Sequence, residues 1–141
     1  MTYLTDSTYV VDFLRGREYA RSLYPTLVGD GLALSIVTHM ELWEGVYGDR
    51  DPAGAARRLR TFLRPLRILP FSPLVSQRIA RLRRELRTRG RPLEQRALDI
   101  LIAGTALHHG LVMVTSDKDF DDIPGPTLHD PRTGQRRRNP A

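Results

Sequence analysis

Apolar residues occur along this chain in short blocks that alternate with longer, spaced stripes. Residues 3–5, 32–37, 67–71 and 111–115 are blocks of strand length, and Leu111-Val112-Met113-Val114-Thr115 is the clearest of them. Residues 126–129 add a short last strand, and Pro70 places the third block at a sheet edge or a strand end. Between the blocks the spacing is helical. Ser7 or Thr8 can cap a helix carrying Val10, Val11, Phe13 and Leu14, which Gly16 ends. Thr38 begins a helix through Leu42, Trp43 and Val46 towards Gly48, and Asp51-Pro52 opens another that runs to about Leu63. Ser72-Pro73 opens a helix with the stripe Val75, Ile79, Leu82 and Leu86, closed by Gly90. A helix over about residues 94–109 is apolar on most sides through its middle, which marks it as buried, and Gly110 is its stop.

Strands alternating with helices imply right-handed crossovers and a parallel sheet covered on both faces. The predicted fold class is α/β, a three-layer α/β/α sandwich with a central parallel sheet of four to five strands, occupying residues 1–130 as one domain. Residues 131–141, with Arg136-Arg137-Arg138, have no periodic apolar positions and read as a mobile basic tail. No internal repeat or linker divides the chain.

Composition narrows the classes of function. A chain of 141 residues is one domain and buries about two-thirds of its unfolded surface without help from a metal or disulfide. The absence of cysteine excludes disulfides, thiolate zinc sites, iron–sulfur clusters and a cysteine nucleophile. No apolar run approaches the roughly 20 residues of a membrane span, and the first residues lack the basic and apolar regions of a signal peptide. A soluble cytoplasmic protein with no membrane partner is expected. A net charge of +6 points to a polyanionic partner. The charge is uneven, because residues 57–96 hold 13 Arg against only Glu85 and Glu94, while the rest is net acidic. With 21 Arg and a single Lys118, a solvated face in an Arg-biased sequence accounts for the block equally well.

The acids fall at particular places. Asp6 follows the first strand directly, Glu41 lies one turn into the helix after the second, and Asp117 and Asp119 follow the strand ending at Thr115. Asp99 sits near the start of the buried helix that feeds that strand; this helix runs antiparallel to the strand, so its start lies near the strand's end. Parallel sheets place their sites outside the carboxyl ends of the strands, which is where these acids meet. Unit charges about 4 Å apart repel by roughly 4 kcal/mol at an effective dielectric near 20, and a shared divalent cation removes the conflict. Oxygen-only ligation suits Mg²⁺ or Mn²⁺, whereas the four histidines show no zinc-type spacing. Each acid also has a structural alternative. Thr38-His39-Met40-Glu41 matches a capping box, Asp99 complements a helix dipole, Asp6 is a cap or turn residue, and Asp117, Asp119, Asp121 and Asp122 form an acidic turn.

Four stretches together resemble the PIN-domain ribonucleases, in particular the VapC-type toxins of toxin–antitoxin modules. They are Tyr3-Leu4-Thr5-Asp6-Ser7-Thr8, Thr38-His39-Met40-Glu41-Leu42-Trp43-Glu44-Gly45, Leu98-Asp99-Ile100-Leu101-Ile102-Ala103-Gly104-Thr105-Ala106 and Val114-Thr115-Ser116-Asp117-Lys118-Asp119-Phe120. Each is loose, but their order and spacing over residues 3–129 make a specific set. The resemblance implies a Mg²⁺- or Mn²⁺-dependent endoribonuclease in which Asp6, Glu41, Asp99 and Asp117 form the acidic cluster. Asp6, Asp99 and Asp117 are then the expected metal ligands, directly or through water, and Glu41 a ligand or water-orienting base. Asp119 is an extra ligand or support, and Thr115 and Ser116 orient the acids. Gly104 departs from the alanine common in relatives, and the C-terminal stretch is unusually Arg-rich.

The resemblance also implies partners: an RNA substrate, a small antitoxin whose extended tail lies in the groove with an Arg at the acids, and a homodimer or toxin–antitoxin hetero-oligomer. Phe13, Leu14, Trp43 and Val46 are the candidate dimer surface. Arg81, Arg84 and Arg87 lie off the apolar stripe of their helix and face solvent or RNA. Two other readings stay open. One is a catalytically inactive PIN-like module that binds RNA or protein. The other is a metal-dependent phosphatase or receiver-type domain, for which the lone Lys118 is poorly placed.

Overall fold

Alternation within the strands sends successive side chains to opposite faces of a single sheet. In the computed structural model, which describes residues 1–140, β1 (Tyr3–Thr5) lies at the centre of that sheet. Parallel to it on either side run β2 (Leu32–Ser35) and β4 (Val112–Val114), in the registers Thr5↔Leu34 and Thr5↔Val114. Outside β2 lies β3 (Arg67–Leu69), and outside β4 lies β5 (Thr127–His129), both parallel. A sixth strand, β6 (Arg136–Arg138), pairs antiparallel with β5, giving the order β3-β2-β1-β4-β5-β6.

Two cores follow from the alternation. Leu4, Ala33, Met113 and Leu128 point to one face, where α5 (Pro73–Thr88) and α6 (Ala97–His109) pack through Val75, Ile79, Leu82, Leu86, Ile100 and Ala103. Tyr3, Leu32, Leu34 and Val114 point to the other. That face is covered by α1 (Ser7–Leu14), α2 (Glu18–Asp30), α3 (Ile36–Tyr47) and α4 (Pro52–Leu63). Short 3-10 turns at Glu94–Arg96 and Lys118–Phe120 precede α6 and follow β4. The expected α/β sandwich is therefore present, with one antiparallel strand added to its five parallel ones. No helix among the described residues is long and apolar enough to cross a membrane.

Several local expectations need correction. The cap of α1 is Asp6, which accepts from the Tyr9 backbone N–H, so neither Ser7 nor Thr8 caps it. The helix α2 has no clear sequence signal, because Pro25 lies inside it and removes a backbone donor. Ser35, not Thr38, caps α3, and Thr38 N–H donates to Ser35 Oγ at 3.1 Å. This displaces the capping-box reading of Glu41. Residues 131–141 are not simply a tail, since Arg136–Arg138 form β6; backbone pairing, not an apolar stripe, makes that strand. The proposed dimer surface is largely packed: Val46 is buried, and Phe13, Leu14 and Trp43 lie against the α1–α4 core. Arg60 also covers the Trp43 ring, 5.2 Å from its centroid.

Close contact between α5 and α6 explains Gly104. A Cβ there would stand 2.3 Å from Ile79 Cγ1 and 3.4 Å from Ile79 Cα. Gly104→Val is expected to cost about 1–3 kcal/mol through overpacking, read by urea unfolding. Wild-type stability in that variant would contradict the close approach.

Candidate active site

The acid edge is built from segments that the sheet order makes neighbours. As the cap of α1, Asp6 is held in place and only 2 % exposed. Its Oδ1 accepts from Tyr9 N–H at 3.1 Å, and its Oδ2 accepts a short hydrogen bond from the Thr115 hydroxyl. Thr115 Oγ1 in turn accepts from Asp117 N–H at 3.0 Å. One hydroxyl therefore ties the end of β1 to the segment after β4. Asp117 caps the following 3-10 turn by accepting from Asp119 N–H at 2.9 Å. Ser116 is half-buried beside it, and Asp119 is exposed.

Asp99 lies in the first turn of α6, partly buried, and Glu41 lies on α3. The electrostatics show that these acids are gathered. Burial, followed by the charges of Asp117 and Asp99, raises the Asp6 carboxyl to about 7 despite its hydrogen bonds from Thr115 and Tyr9. Burial and then the charges of Asp117 and Asp119 raise Asp99 to about 6, against the pull of Arg96. Glu41 is raised by burial and then by Asp99 and Glu44. Asp6, Asp99 and Asp117 thus feel one another's charge, Glu41 feels that of Asp99, and Asp119 lies at the exposed rim.

By the chemistry of its oxygens, though not by their present spacing, this donor set suits a divalent cation. Glu41 Oε1 is buried and accepts no hydrogen bond, leaving an oxygen free for ligation. The converging donors are carboxylates, suited to Mg²⁺ or Mn²⁺. His39 is engaged by the Trp43 indole N–H at 3.1 Å, and His108 and His109 end α6, away from its Asp99 end. As they stand, no three of the described acids or histidines are close enough together to hold an ion.

One residue bordering the acids has no role in the sequence reading. Arg96, counted only within the basic block, donates from Nη2 to the Asp119 carbonyl at 2.6 Å and from Nη1 to Asp122. Its spacing of three before Asp99 on a helical segment was the available signal. Arg81, Arg84 and Arg87 are exposed on α5.

The shifted carboxyls fix a pH dependence. The folded protein holds the Asp6 and Asp99 protons more tightly than the unfolded chain, so their contribution to stability is full below about pH 4 and is lost as pH rises towards 7. Metal-free protein is therefore expected to unfold more easily at pH 7.5 than at pH 5 because of these groups. Asp6→Asn should flatten that slope in urea melts, and an equal slope in wild type and variant would contradict the burial of this acid.

Residues 3–126 match the PIN domain family. No curated protein is a detectable sequence relative. Among solved structures, VapBC2 from Rickettsia felis, bound to a DNA fragment from its promoter, superposes with a TM-score of 0.82 at 25 % identity, covering 91 % of this chain and 97 % of that one. DNA-bound VapBC from Salmonella typhimurium gives a TM-score of 0.85 at 25 % identity, over 93 % of this chain and 98 % of that one. FitAcB from Neisseria gonorrhoeae gives 0.76 at 25 % identity, over 94 % and 99 %. The family match runs over β1 to β4 and all four acid-bearing segments, and the chain belongs to the PIN domain family.

Proposed function

We propose that this protein is a Mg²⁺- or Mn²⁺-dependent endoribonuclease acting as the toxin of a VapBC-type toxin–antitoxin pair. The observation that carries this reading is that Asp6, Glu41, Asp99 and Asp117 lie at one sheet edge of a PIN domain, with the proton affinities of Asp6, Glu41 and Asp99 raised by burial and neighbouring charge. In it, Asp6, Asp99 and Asp117 hold the ion, directly or through water, and Glu41 is a further ligand or orients the attacking water. Thr115 fixes the relative placement of Asp6 and Asp117, and Asp119 and Ser116 support the same loop. A divalent cation bound there supplies an activated water and offsets charge on the nonbridging and leaving oxygens of a phosphodiester. Hydrolysis by water leaves a 5′-phosphate and a 3′-hydroxyl.

Without a cation the acids repel a phosphate backbone, so the substrate must be held from outside the pocket. Arg81, Arg84 and Arg87 are candidates from the sequence. The structure adds a second set. A groove of about 520 Å³ beside Glu41 shares Leu14 and Arg58 with a neighbouring hollow of about 280 Å³ lined by Phe13, Arg21, Tyr24 and Arg57. Among the described residues, Arg57 and Arg58 join no ion pair, which leaves them available to phosphates, while Arg21 donates to the Phe13 carbonyl and stacks on its ring.

The antitoxin reading rests on the same groove and on the VapBC likenesses. Its walls include Val11, Leu14, Met40, Val46 and Leu98, and Met40 is 51 % exposed. An apolar peptide segment with an Arg at the acid end satisfies both the apolar walls and the carboxylates. Assembly as a homodimer or toxin–antitoxin hetero-oligomer belongs to the same reading. No observation favours a catalytically inactive module, since none of the expected acids is missing from the edge.

Purified protein is expected to cleave RNA with Mg²⁺ or Mn²⁺ and to stop in EDTA. Asp6→Asn and Asp99→Asn should each slow cleavage by about a hundredfold or more. Cleavage persisting in EDTA or in both variants would sink the reading, as would turnover of small phosphoesters in place of RNA. In cells, expression alone should arrest growth while Asp6→Ala does not; equal toxicity counts against hydrolysis as the cause.

A further inference from the structure

We infer that the C-terminal hairpin, residues 127–139, is a strap that positions the acids of the proposed metal site; the inference rests on that site being a cation site. The hairpin lies wholly beyond the family match, which stops at residue 126. β5 runs parallel to β4, with Val114 opposite His129, so it carries the chain towards the acid edge. There the chain reverses in a tight turn. Asp130 N–H donates to the Gln135 carbonyl and Gly134 N–H to the Asp130 carbonyl, both at 2.8 Å. Gly134 has φ of +76°, a conformation that favours glycine.

From this turn and from β6, side chains reach both segments that bear the acids. On one side, Arg132 Nη2 donates to Asp12 Oδ2 at 2.9 Å. Asp12 is 6 % exposed, also accepts from the Tyr19 hydroxyl, and lies on α1, the helix that Asp6 caps. Arg136 Nη2 reaches the Tyr3 hydroxyl of β1 at 3.0 Å. On the other side, Asn139 is 5 % exposed. Its Nδ2 donates to the Phe120 carbonyl at 2.7 Å and the Ile123 carbonyl at 2.8 Å, and its backbone N–H donates to the Pro126 carbonyl at 3.0 Å. Arg137 pairs with Asp121.

The loop so held is the one that carries Asp117 and Asp119. Its only regular structure is the 3-10 turn Lys118–Phe120; buried Phe120 and Ile123 and the pairing of Arg91 and Arg96 with Asp122 hold it from one side, and the hairpin from the other. Asn139 and Arg137 hold the loop down, while Arg132 and Arg136 anchor the same hairpin to α1 and β1. Asn139 is thus a positioning residue that acts on the metal ligands through the backbone of their loop, much as outer-shell groups orient ligands elsewhere.

The test compares Mn²⁺ binding with stability. Asn139→Asp keeps the side chain's size and removes both N–H donors. Its melting temperature without metal and its Mn²⁺ half-saturation, by calorimetric titration, are measured beside wild type and beside Leu59→Ala. Leu59 is fully buried on α4, which carries none of the acids. A lowered melting temperature and an Mn²⁺ half-saturation raised about tenfold are expected for Asn139→Asp. Leu59→Ala should lose stability with its half-saturation unchanged. Equal Mn²⁺ affinity in wild type and Asn139→Asp, or an equal loss in Leu59→Ala, overturns the strap. If Asn139→Asp does not fold, Arg137→Ala, whose ion pair is partly exposed, takes its place, with a smaller rise in the same direction expected and no rise overturning the inference. A wild type that binds neither Mn²⁺ nor Mg²⁺ overturns the metal reading itself, an outcome distinct from a binding wild type matched by its strap variants.

Discussion

Carboxylates at the ends of neighbouring strands repel, and the fold keeps them together against that repulsion. The hydrogen bond from Thr115 to Asp6 is where this is most visible. Asp6 is almost wholly buried, and burial raises its proton affinity more than any neighbour does. The same Thr115 oxygen receives Asp117 N–H, so one hydroxyl sets the spacing between two acids from opposite ends of the chain. That arrangement requires β1 and β4 to be adjacent and parallel, as they are. It also requires α1 to start directly at Asp6, whose side chain caps the helix and faces the site at once.

Charge is organised at two scales. Over the whole chain the excess of arginine makes a field that attracts polyanions. At the sheet edge the sign reverses, and guanidinium groups border the reversal. Arg91 and Arg96 both pair with Asp122, and Arg96 also holds the Asp119 carbonyl. These cations border the acids, and Arg96 opposes the raised proton affinity of Asp99.

The strand pattern is legible for β1, β2 and β4 because they alternate between two apolar cores. The acids were legible for a related reason. In a parallel sheet, a residue just past a strand has a known edge, so Asp6 and Asp117 are placed by counting. Glu41 was ambiguous because Thr38 stands three residues before it, the spacing of a capping box; only the observed Ser35 cap removes that reading. Helix α2 was hidden by Pro25, and β6 by three consecutive arginines, because neither shows the periodicity that marks an element.

The sequence by itself determined the alternating α/β plan and the edge at which the acids had to meet, since both follow from short-range period and from the direction of parallel strands. Tertiary structure alone decided which acids are buried, that Thr115 joins two of them, that Arg96 reaches the Asp119 carbonyl, and that an arginine-rich terminus becomes a paired strand. The physical reason is range. Period and capping act over a few residues, whereas Asp6 and Thr115 are 109 residues apart in the chain and Arg132 and Asp12 are 120 apart, contacts that only the folded sheet brings into being.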